Sequence, residues 1–144
     1  MSSRNHQVTE SYARPEDIEA ILKMRRIAVV GLSSDRFKPS HGVARYLQRA
    51  GYDITPVNPT EREVLGERAY ASLRDLPEPP ELVDVFRRPE YIDEVVEDAI
   101  AAGAKAIWIQ SGIINYEAAR KAREAGLITV MDRCLMVEHS RRSY

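Results

Sequence analysis

The sequence predicts an α/β domain with a parallel β-sheet that is covered by helices on both faces. Five short apolar runs, rich in β-branched residues, are spaced along the chain at residues 27–30, 53–57, 82–86, 106–110 and 127–130. Continuous apolar runs of this length are typical of strands buried on both faces. Segments of helical periodicity alternate with the runs, and this alternation predicts parallel strands joined by right-handed crossovers.

Length, charge and composition narrow the class of protein. With 144 residues the chain is expected to form one domain at 15–144, preceded by a flexible polar tail at 1–14. The formal net charge of -1 gives no reason to expect binding to nucleic acid or to an acidic membrane surface. No apolar run approaches the ~20 residues of a membrane helix, and no signal peptide is recognisable. We therefore expect a cytoplasmic protein.

The helices are predicted from apolar stripes and from residues that start or end a helix. Pro15 and Pro89 suit the first position of a helix, Asn115 suits an N-cap, and Gly51 and Gly103 suit helix ends. The predicted helices span residues 15–23, 41–50, Pro89 to Gly103, and 117–125. Further predictions are a charged connector at 60–71, one helical turn at 72–76, and a short polar tail after the fifth strand.

The first strand leads into a loop that has features of a phosphate-binding site. The loop at 31–40 begins with Gly31 and ends at Ser40, the expected N-cap of the helix at 41–50. A helix N-terminus offers free N–H groups and the positive end of the helix dipole, and glycine lets the backbone approach a ligand. The loop is therefore expected to hold an anion.

Positive charge is concentrated at one edge of the predicted sheet. In an open parallel sheet, ligands bind beyond the carboxyl ends of the strands. The loops at that edge carry Arg36 and Lys38 after the first strand, Arg62 after the second, and Arg87 and Arg88 after the third. On a chain with almost no net charge, this cluster favours a bound anion.

The usual fingerprints of dinucleotide and P-loop sites are missing. After Gly31 the next glycine is Gly42, so the loop lacks the pattern G-x-G-x-x-G. The second strand ends in Val57, Asn58 and Pro59 rather than in the acidic residue that holds the ribose of NAD. The P-loop pattern G-x-x-x-x-G-K-[ST] does not occur either. These observations count against both kinds of site.

Several spaced motifs together resemble one family. They are VVGLSSDRFKPSHGVARYL, ITPVNP, EVLGERAYASLRDLPE, VDVFRRPE, GAKAIWIQSGIIN and VMDRC followed by VEH. Over residues 15–140 they are similar, in this order, to the small CoA-binding proteins, single-domain relatives of the CoA-binding domain of succinyl-CoA synthetase α subunits. The resemblance implies a Rossmann-like three-layer domain, with a five-stranded parallel sheet in the order 3-2-1-4-5, that binds coenzyme A or an acyl-CoA. One difference is Leu135, where the family often has proline.

The resemblance also implies which residues contact the nucleotide ligand. Residues of the first loop would contact the phosphates, residues after the second strand would line the adenosine side, and residues after the fourth strand would face the pantetheine arm. The implied residues are Gly31, Ser33, Ser34, Arg36, Lys38 and Ser40 for the phosphates; Val57, Asn58 and Pro59 for the adenosine side; Arg62, near a lysine position of larger relatives; Phe86 and Arg87 after the third strand; and Gln110, Ser111 and Gly112 for the arm.

The resemblance, the first loop and the cationic edge together imply binding of coenzyme A or an acyl-CoA. We expect this binding to be non-catalytic, because no nucleophile–base pair is recognisable in the sequence. The histidines His6, His41 and His139 are too scattered to indicate a metal site. Ligase chemistry of the synthetase kind would need a partner subunit. The sequence leaves open a homo-oligomer or an unknown protein partner.

Two alternative functions stay open. The first is an NADP- or other nucleotide-dependent enzyme or sensor, in which Arg36 or Arg62 would hold a 2′-phosphate. The second is a redox protein that acts through Cys134, the only cysteine of the chain, which could form a mixed disulfide with the thiol of CoA.

Overall fold

The computed structural model describes residues 11–142 as three layers, with helices on each side of a central sheet. In chain order the elements are α1 (Pro15–Leu22), β1 (Arg26–Val30), α2 (Pro39–Arg49), β2 (Asp53–Val57), β3 (Glu63–Val64), β4 (Glu67–Arg68), β5 (Leu82–Val85), α3 (Ile92–Ala101), β6 (Ala106–Gln110), α4 (Tyr116–Glu124), β7 (Ile128–Arg133) and α5 (Leu135–Ser140). Short 3₁₀ turns occur at Leu73–Asp75 and Pro89–Tyr91. None of the helices in this described part is long and apolar enough to cross a membrane.

The central sheet confirms the predicted α/β class, with five strands that are all parallel. Their order across the sheet is β2-β1-β5-β6-β7. A single parallel bridge between Val57 and Tyr70 adds one more position beside β2. When Tyr70 is counted as the third strand, the first five strands run in the implied order 3-2-1-4-5. The five apolar runs predicted as strands do not include Tyr70. Numbered in chain order, these five strands lie across the sheet in the order 2-1-3-4-5.

Each face of the sheet has its own apolar core. The helices α1, α2 and α5 cover one face, where Leu47 and Trp108 are fully buried. The helices α3 and α4 cover the other face, where Val96 and Ile107 are fully buried. Because both faces are covered, most residues in the middle of the strands are apolar, which explains why the sequence pattern marked the strands well.

The structure differs from the predicted elements at two places. The connector predicted at 60–71 contains the β3–β4 hairpin, whose turn has Leu65 at φ 55° and Gly66 at φ 79°. Two positive φ values suit a tight hairpin turn, but leucine is not a residue that signals one. The predicted polar tail is also wrong, because α5 follows β7 and buries Leu135.

The amino-terminal tail prediction falls mostly outside the described residues, since it covers 1–14 and the structure describes the chain from residue 11. Tyr12, within that prediction, is buried, and its carbonyl oxygen accepts a hydrogen bond from the N–H of Met131 at 2.7 Å. Residue 12 therefore packs along the outer strand β7 as part of the folded domain.

Candidate functional site

The chain winds in opposite directions after β1 and β5, and this opens a crevice at the carboxyl edge of the sheet. From β1 it continues to α2 on one face, and from β5 it continues to α3 on the other. Neighbouring loops that diverge in this way leave a ligand-binding crevice in open α/β sheets. The predicted site residues of the first and third strands meet here.

Gly31 forms the floor of this crevice. Its backbone has φ 87°, and its N–H donates to the carbonyl oxygen of Val57 at 2.8 Å. A Cβ at this position would lie 2.2 Å from the carbonyl oxygen of Phe86, the residue that follows β5. Only glycine therefore allows the two loops to pass this close to each other.

Two clefts flank the crevice on opposite faces of the sheet. The first cleft, about 210 Å³, lies on the α3 face, and its lining includes Gly31, Val57, Pro59, Leu73, Arg87, Val95 and Asp98. The second cleft, about 480 Å³, lies on the α2 face, and its lining includes Val43, Phe86, Arg87, Gln110, Ser111, Gly112 and Cys134. Arg87 lines both clefts, so a ligand that spans them would pass this side chain.

Part of the predicted site lies outside the clefts. The clefts bring together Gly31, Val57, Pro59, Phe86, Arg87, Gln110, Ser111 and Gly112. The other predicted residues belong to the adjoining loops and do not line the two clefts: Ser33, Ser34, Arg36, Lys38, Ser40, Asn58 and Arg62. Any contact of these loop residues with a ligand would be made at the mouth of the crevice.

The loop after β1 is held in shape by its own side chains. Ser33 N–H donates to Ser40 Oγ at 3.1 Å, and Asp35 N–H donates to Ser33 Oγ at 3.0 Å. Phe37 N–H donates to Asp35 Oδ1 at 2.9 Å. Ser40 is therefore not the N-cap of α2, a position taken by Lys38. The loop is preorganised, but it offers an anion fewer free N–H groups than the sequence led us to expect.

Glu61 places a carboxylate on this same loop. Its Oε2 accepts hydrogen bonds from the N–H and the Oγ of Ser34, at 2.8 and 2.9 Å. Glu61 is not among the predicted site residues, because β2 itself ends without an acid and Glu61 folds back from four positions beyond Val57. The contact puts a negative charge next to the donors of the predicted phosphate loop.

Asn58 fastens the loop after β1 to the loop after β2. Its Nδ2 donates to the carbonyl oxygen of Leu32 at 3.1 Å, while its Oδ1 accepts from the N–H and Oγ of Thr60 at 3.0 and 2.8 Å. Because both the nitrogen and the oxygen of its amide are hydrogen-bonded within the protein, the Asn58 side chain holds the two loops together. It is a positioning residue for the first loop.

The predicted cations differ in their surroundings. Arg36, Lys38 and Arg62 are exposed, and within residues 11–142 none of the three forms an ion pair. Arg87 is half-buried, and its guanidinium lies 4.5 Å from the centroid of the Tyr91 ring. Unpaired cations at the carboxyl edge leave this side of the molecule able to attract an anion.

The floor of the second cleft is formed by two strand ends that are tied together. Gly112 N–H donates to Asp132 Oδ1 at 2.7 Å, and Leu135 N–H donates to Gln110 Oε1 at 3.4 Å. Asp132 has φ 63°, a left-handed conformation that is unusual for a residue other than glycine. Asp132 is not among the predicted site residues, because no sequence pattern marks such a conformation. The hydrogen bonds of Gly112 with Asp132 and of Leu135 with Gln110 hold the segment around Cys134 against the loop that follows β6.

A fully buried acid without a hydrogen-bond partner among the described residues lies outside both clefts. Asp84, in the middle of β5, is fully buried between Val29 and Trp108 of the neighbouring strands. Neither of its carboxyl oxygens has a hydrogen-bond partner within the described residues. Burial raises the pKa of Asp84 well above its usual range, so the carboxyl holds a proton in the folded chain at pH values where an exposed aspartate would be charged.

Comparisons with known proteins give the chain a family and a fold. Residues 25–140 match the family described as CoA binding domain. The uncharacterized protein YneT of Bacillus subtilis is 41% identical over 128 residues, which cover 89% of this chain and 95% of that protein. A hypothetical protein from Pyrococcus horikoshii OT3, of solved structure, is 45% identical with a TM-score of 0.86, and the match covers 92% of this chain and 96% of that one.

A more distant relative is far longer than this chain. The ADP-forming acetate–CoA ligase I of Archaeoglobus fulgidus is 25% identical over 128 residues. The match covers 82% of this chain but 19% of the ligase. The similarity therefore concerns one part of the ligase.

Proposed function

The chain belongs to the CoA-binding domain family, and from this premise we propose that it binds coenzyme A or an acyl-CoA without catalysis. The observation that carries the proposal is the pair of clefts at the carboxyl edge of the sheet, which share Arg87 as a lining residue. Coenzyme A has a nucleotide end and a long amide-rich arm that ends in a thiol. A molecule of this shape needs two binding regions joined by a path for its pyrophosphate, and the crevice offers such a path.

The first cleft suits the adenosine end. Val57, Leu73 and Val95 are buried and give apolar walls for a flat adenine ring. Asp98 adds a carboxylate to which the amino group of adenine can donate. Asp98 Oδ1 is paired with Arg74 Nε at 2.7 Å, so its charge is balanced before a ligand arrives.

The phosphates fit the mouth of the crevice. Because Arg36 and Lys38 have no carboxylate partner within the described residues, a phosphate can bind them without breaking an ion pair. Arg87 lies farther in, between the clefts, where a pyrophosphate would cross the sheet edge. The Glu61 carboxylate on Ser34 opposes this attraction, and we expect it to set an upper limit on the affinity.

The second cleft suits the pantetheine arm. Phe86 and Val43 supply apolar surface for its methylene and methyl groups. Gln110 and Ser111 supply polar groups for its amides. An acyl group would extend from the thiol at the Cys134 end of this cleft.

The hydrogen bonds around the clefts support binding rather than catalysis. Within residues 11–142, none of Ser72, Ser111 and Cys134 is hydrogen-bonded to a histidine. A hydroxyl or thiol without a neighbouring base is not activated as a nucleophile in the usual way.

Calorimetry and thermal unfolding with CoA, acetyl-CoA, NADP and ATP test the proposal. A ligand present at 100 times its Kd stabilises the folded chain by ~2.7 kcal/mol, and we expect this response for CoA and acetyl-CoA. NADP and ATP have no arm for the second cleft and should bind more weakly. A clear response to NADP with none to CoA would contradict the proposal and favour a nucleotide-dependent enzyme or sensor. Loss of the thioester from acetyl-CoA during incubation would contradict the non-catalytic part.

A further inference from the structure

We propose that Glu61 makes the site selective for the ribose of the nucleotide, by favouring a free hydroxyl and disfavouring a phosphate on that sugar. CoA carries such a phosphate on the 3′ oxygen of its ribose, whereas dephospho-CoA has a hydroxyl there. The inference rests on the proposed function, because it requires a CoA-type nucleotide in the clefts. It deepens that function by naming the form of the nucleotide that the site accepts best.

The contact between Glu61 and Ser34 is the first observation. Glu61 Oε2 accepts hydrogen bonds from both the N–H and the Oγ of Ser34, at 2.8 and 2.9 Å. These are the two donors that Ser34 could offer to a phosphate, and a carboxylate of the chain already occupies both. A phosphate at this place would have to displace Glu61 or lie beside its negative charge, and like charges a few ångströms apart repel each other.

The charge of Glu61 is not balanced by a cation. Glu61 forms no ion pair within residues 11–142. The cations Arg36, Lys38 and Arg62 belong to the same two loops, but none of them pairs with it. Glu61 is also half-buried, so solvent and salt screen its charge less than they screen the charge of a fully exposed acid. The carboxylate therefore acts on the ligand group that lies next to it.

Hydrogen bonds hold Glu61 beside the first cleft. The N–H of Glu61 donates to the carbonyl oxygen of Asn58 at 3.2 Å, and Asn58 Nδ2 donates to the carbonyl oxygen of Leu32 at 3.1 Å. Pro59, inside this turn, lines the first cleft. A nucleotide with its adenine in that cleft and its pyrophosphate at the crevice places its ribose between the loops that Glu61 joins.

A hydroxyl suits this carboxylate better than a phosphate does. Within the described residues Glu61 Oε1 accepts no hydrogen bond, so it can accept one from a ribose hydroxyl. A hydrogen bond to a charged acceptor is stronger than one between neutral groups. In dinucleotide-binding domains an acid after the second strand holds ribose hydroxyls in this way. The exposed cations Arg36 and Lys38 then serve the pyrophosphate, which CoA and dephospho-CoA share.

Calorimetry with CoA and dephospho-CoA tests the inference on the full chain. We expect dephospho-CoA to bind the wild type at least as tightly as CoA does. Glu61→Gln keeps an acceptor for Ser34 and removes the charge, so the ratio of the Kd for CoA to the Kd for dephospho-CoA should fall about three- to tenfold. Glu63→Gln removes an exposed carboxylate two positions away and should leave this ratio unchanged.

The outcomes separate this inference from the proposed function. If the wild type binds CoA more tightly than dephospho-CoA, or if Glu61→Gln leaves the ratio of the two Kd values unchanged, the selectivity proposal is overturned and the binding proposal stands. If neither nucleotide binds the wild type, the proposed function fails and the selectivity proposal fails with it. The comparison on the wild type needs no variant, so the test does not depend on the folding of Glu61→Gln.

Discussion

The replacement Gly31→Ala is expected to destabilise the fold at the floor of the crevice, where the ends of β1 and β5 approach each other. The new Cβ would lie 2.2 Å from the carbonyl oxygen of Phe86 and 3.1 Å from its carbonyl carbon, both backbone atoms that cannot rotate away. The strands β1 and β5 would have to separate locally, and overpacking of this kind costs about 1–3 kcal/mol. The φ of 87° adds a conformational cost of about 1–2 kcal/mol for a residue with a Cβ. We expect a total loss of about 2–5 kcal/mol.

Two glycine controls isolate the steric part of this loss. Gly112 has φ 81°, but a Cβ added there would have no atom within 4 Å, so Gly112→Ala should show the conformational cost alone. Gly42 lies in α2 with open space around it and no unusual φ, so Gly42→Ala should be neutral or stabilising by up to about 1 kcal/mol. Urea unfolding of the three variants measures the differences in free energy. A loss for Gly31→Ala no greater than that for Gly112→Ala would refute the close approach at the crevice floor.

The remaining predictions concern charge. Lys38→Ala should weaken CoA binding about two- to tenfold in calorimetry, with Lys23→Ala as the matched exposed control; equal affinities would show that Lys38 is not at the phosphates. Glu61→Gln keeps an acceptor for Ser34 but removes the charge, so CoA should bind about two- to fivefold more tightly, and weaker binding would mean that the carboxylate helps to shape the site. The folded-state pKa of Asp84 is raised, so the unfolded chain loses this proton at lower pH than the folded chain does. Stability should therefore fall as the pH rises above about 4, and Asp84→Asn should reduce this slope in urea titrations at several pH values; an unchanged slope would contradict a buried neutral carboxyl.

The sequence predicted the sheet well, because burial on both faces leaves a local signal. β6 was predicted at its observed bounds, and Asn115 was predicted correctly as the cap of α4, where its side chain accepts from the N–H of Ala118 at 3.0 Å. Caps and apolar runs are visible in a short stretch of sequence. The strand position at Tyr70 was not visible, because a single bridge has no pattern.

The site was harder to predict, because its side-chain hydrogen bonds form between residues that come together only in the folded chain. Glu61 reaches Ser34 only after the loops of β1 and β2 have been brought together by folding. Ser40 looked like an N-cap in sequence, yet its hydroxyl accepts from Ser33 and stabilises the loop instead. The left-handed backbone of Asp132 likewise accompanies a tertiary contact, the hydrogen bond that its Oδ1 accepts from the N–H of Gly112. Residue types therefore indicated which loops come together at the carboxyl edge of the sheet, while the partners of each side chain required the fold.

The most direct test of the central claim, that CoA lies across both clefts, is an NMR titration of the backbone amide signals with CoA. The account predicts that the signals of Gly31, of Leu73 in the first cleft and of Gly112 in the second cleft shift together with one apparent Kd. Shifts confined to one cleft, or shifts that spare Gly31, would contradict it.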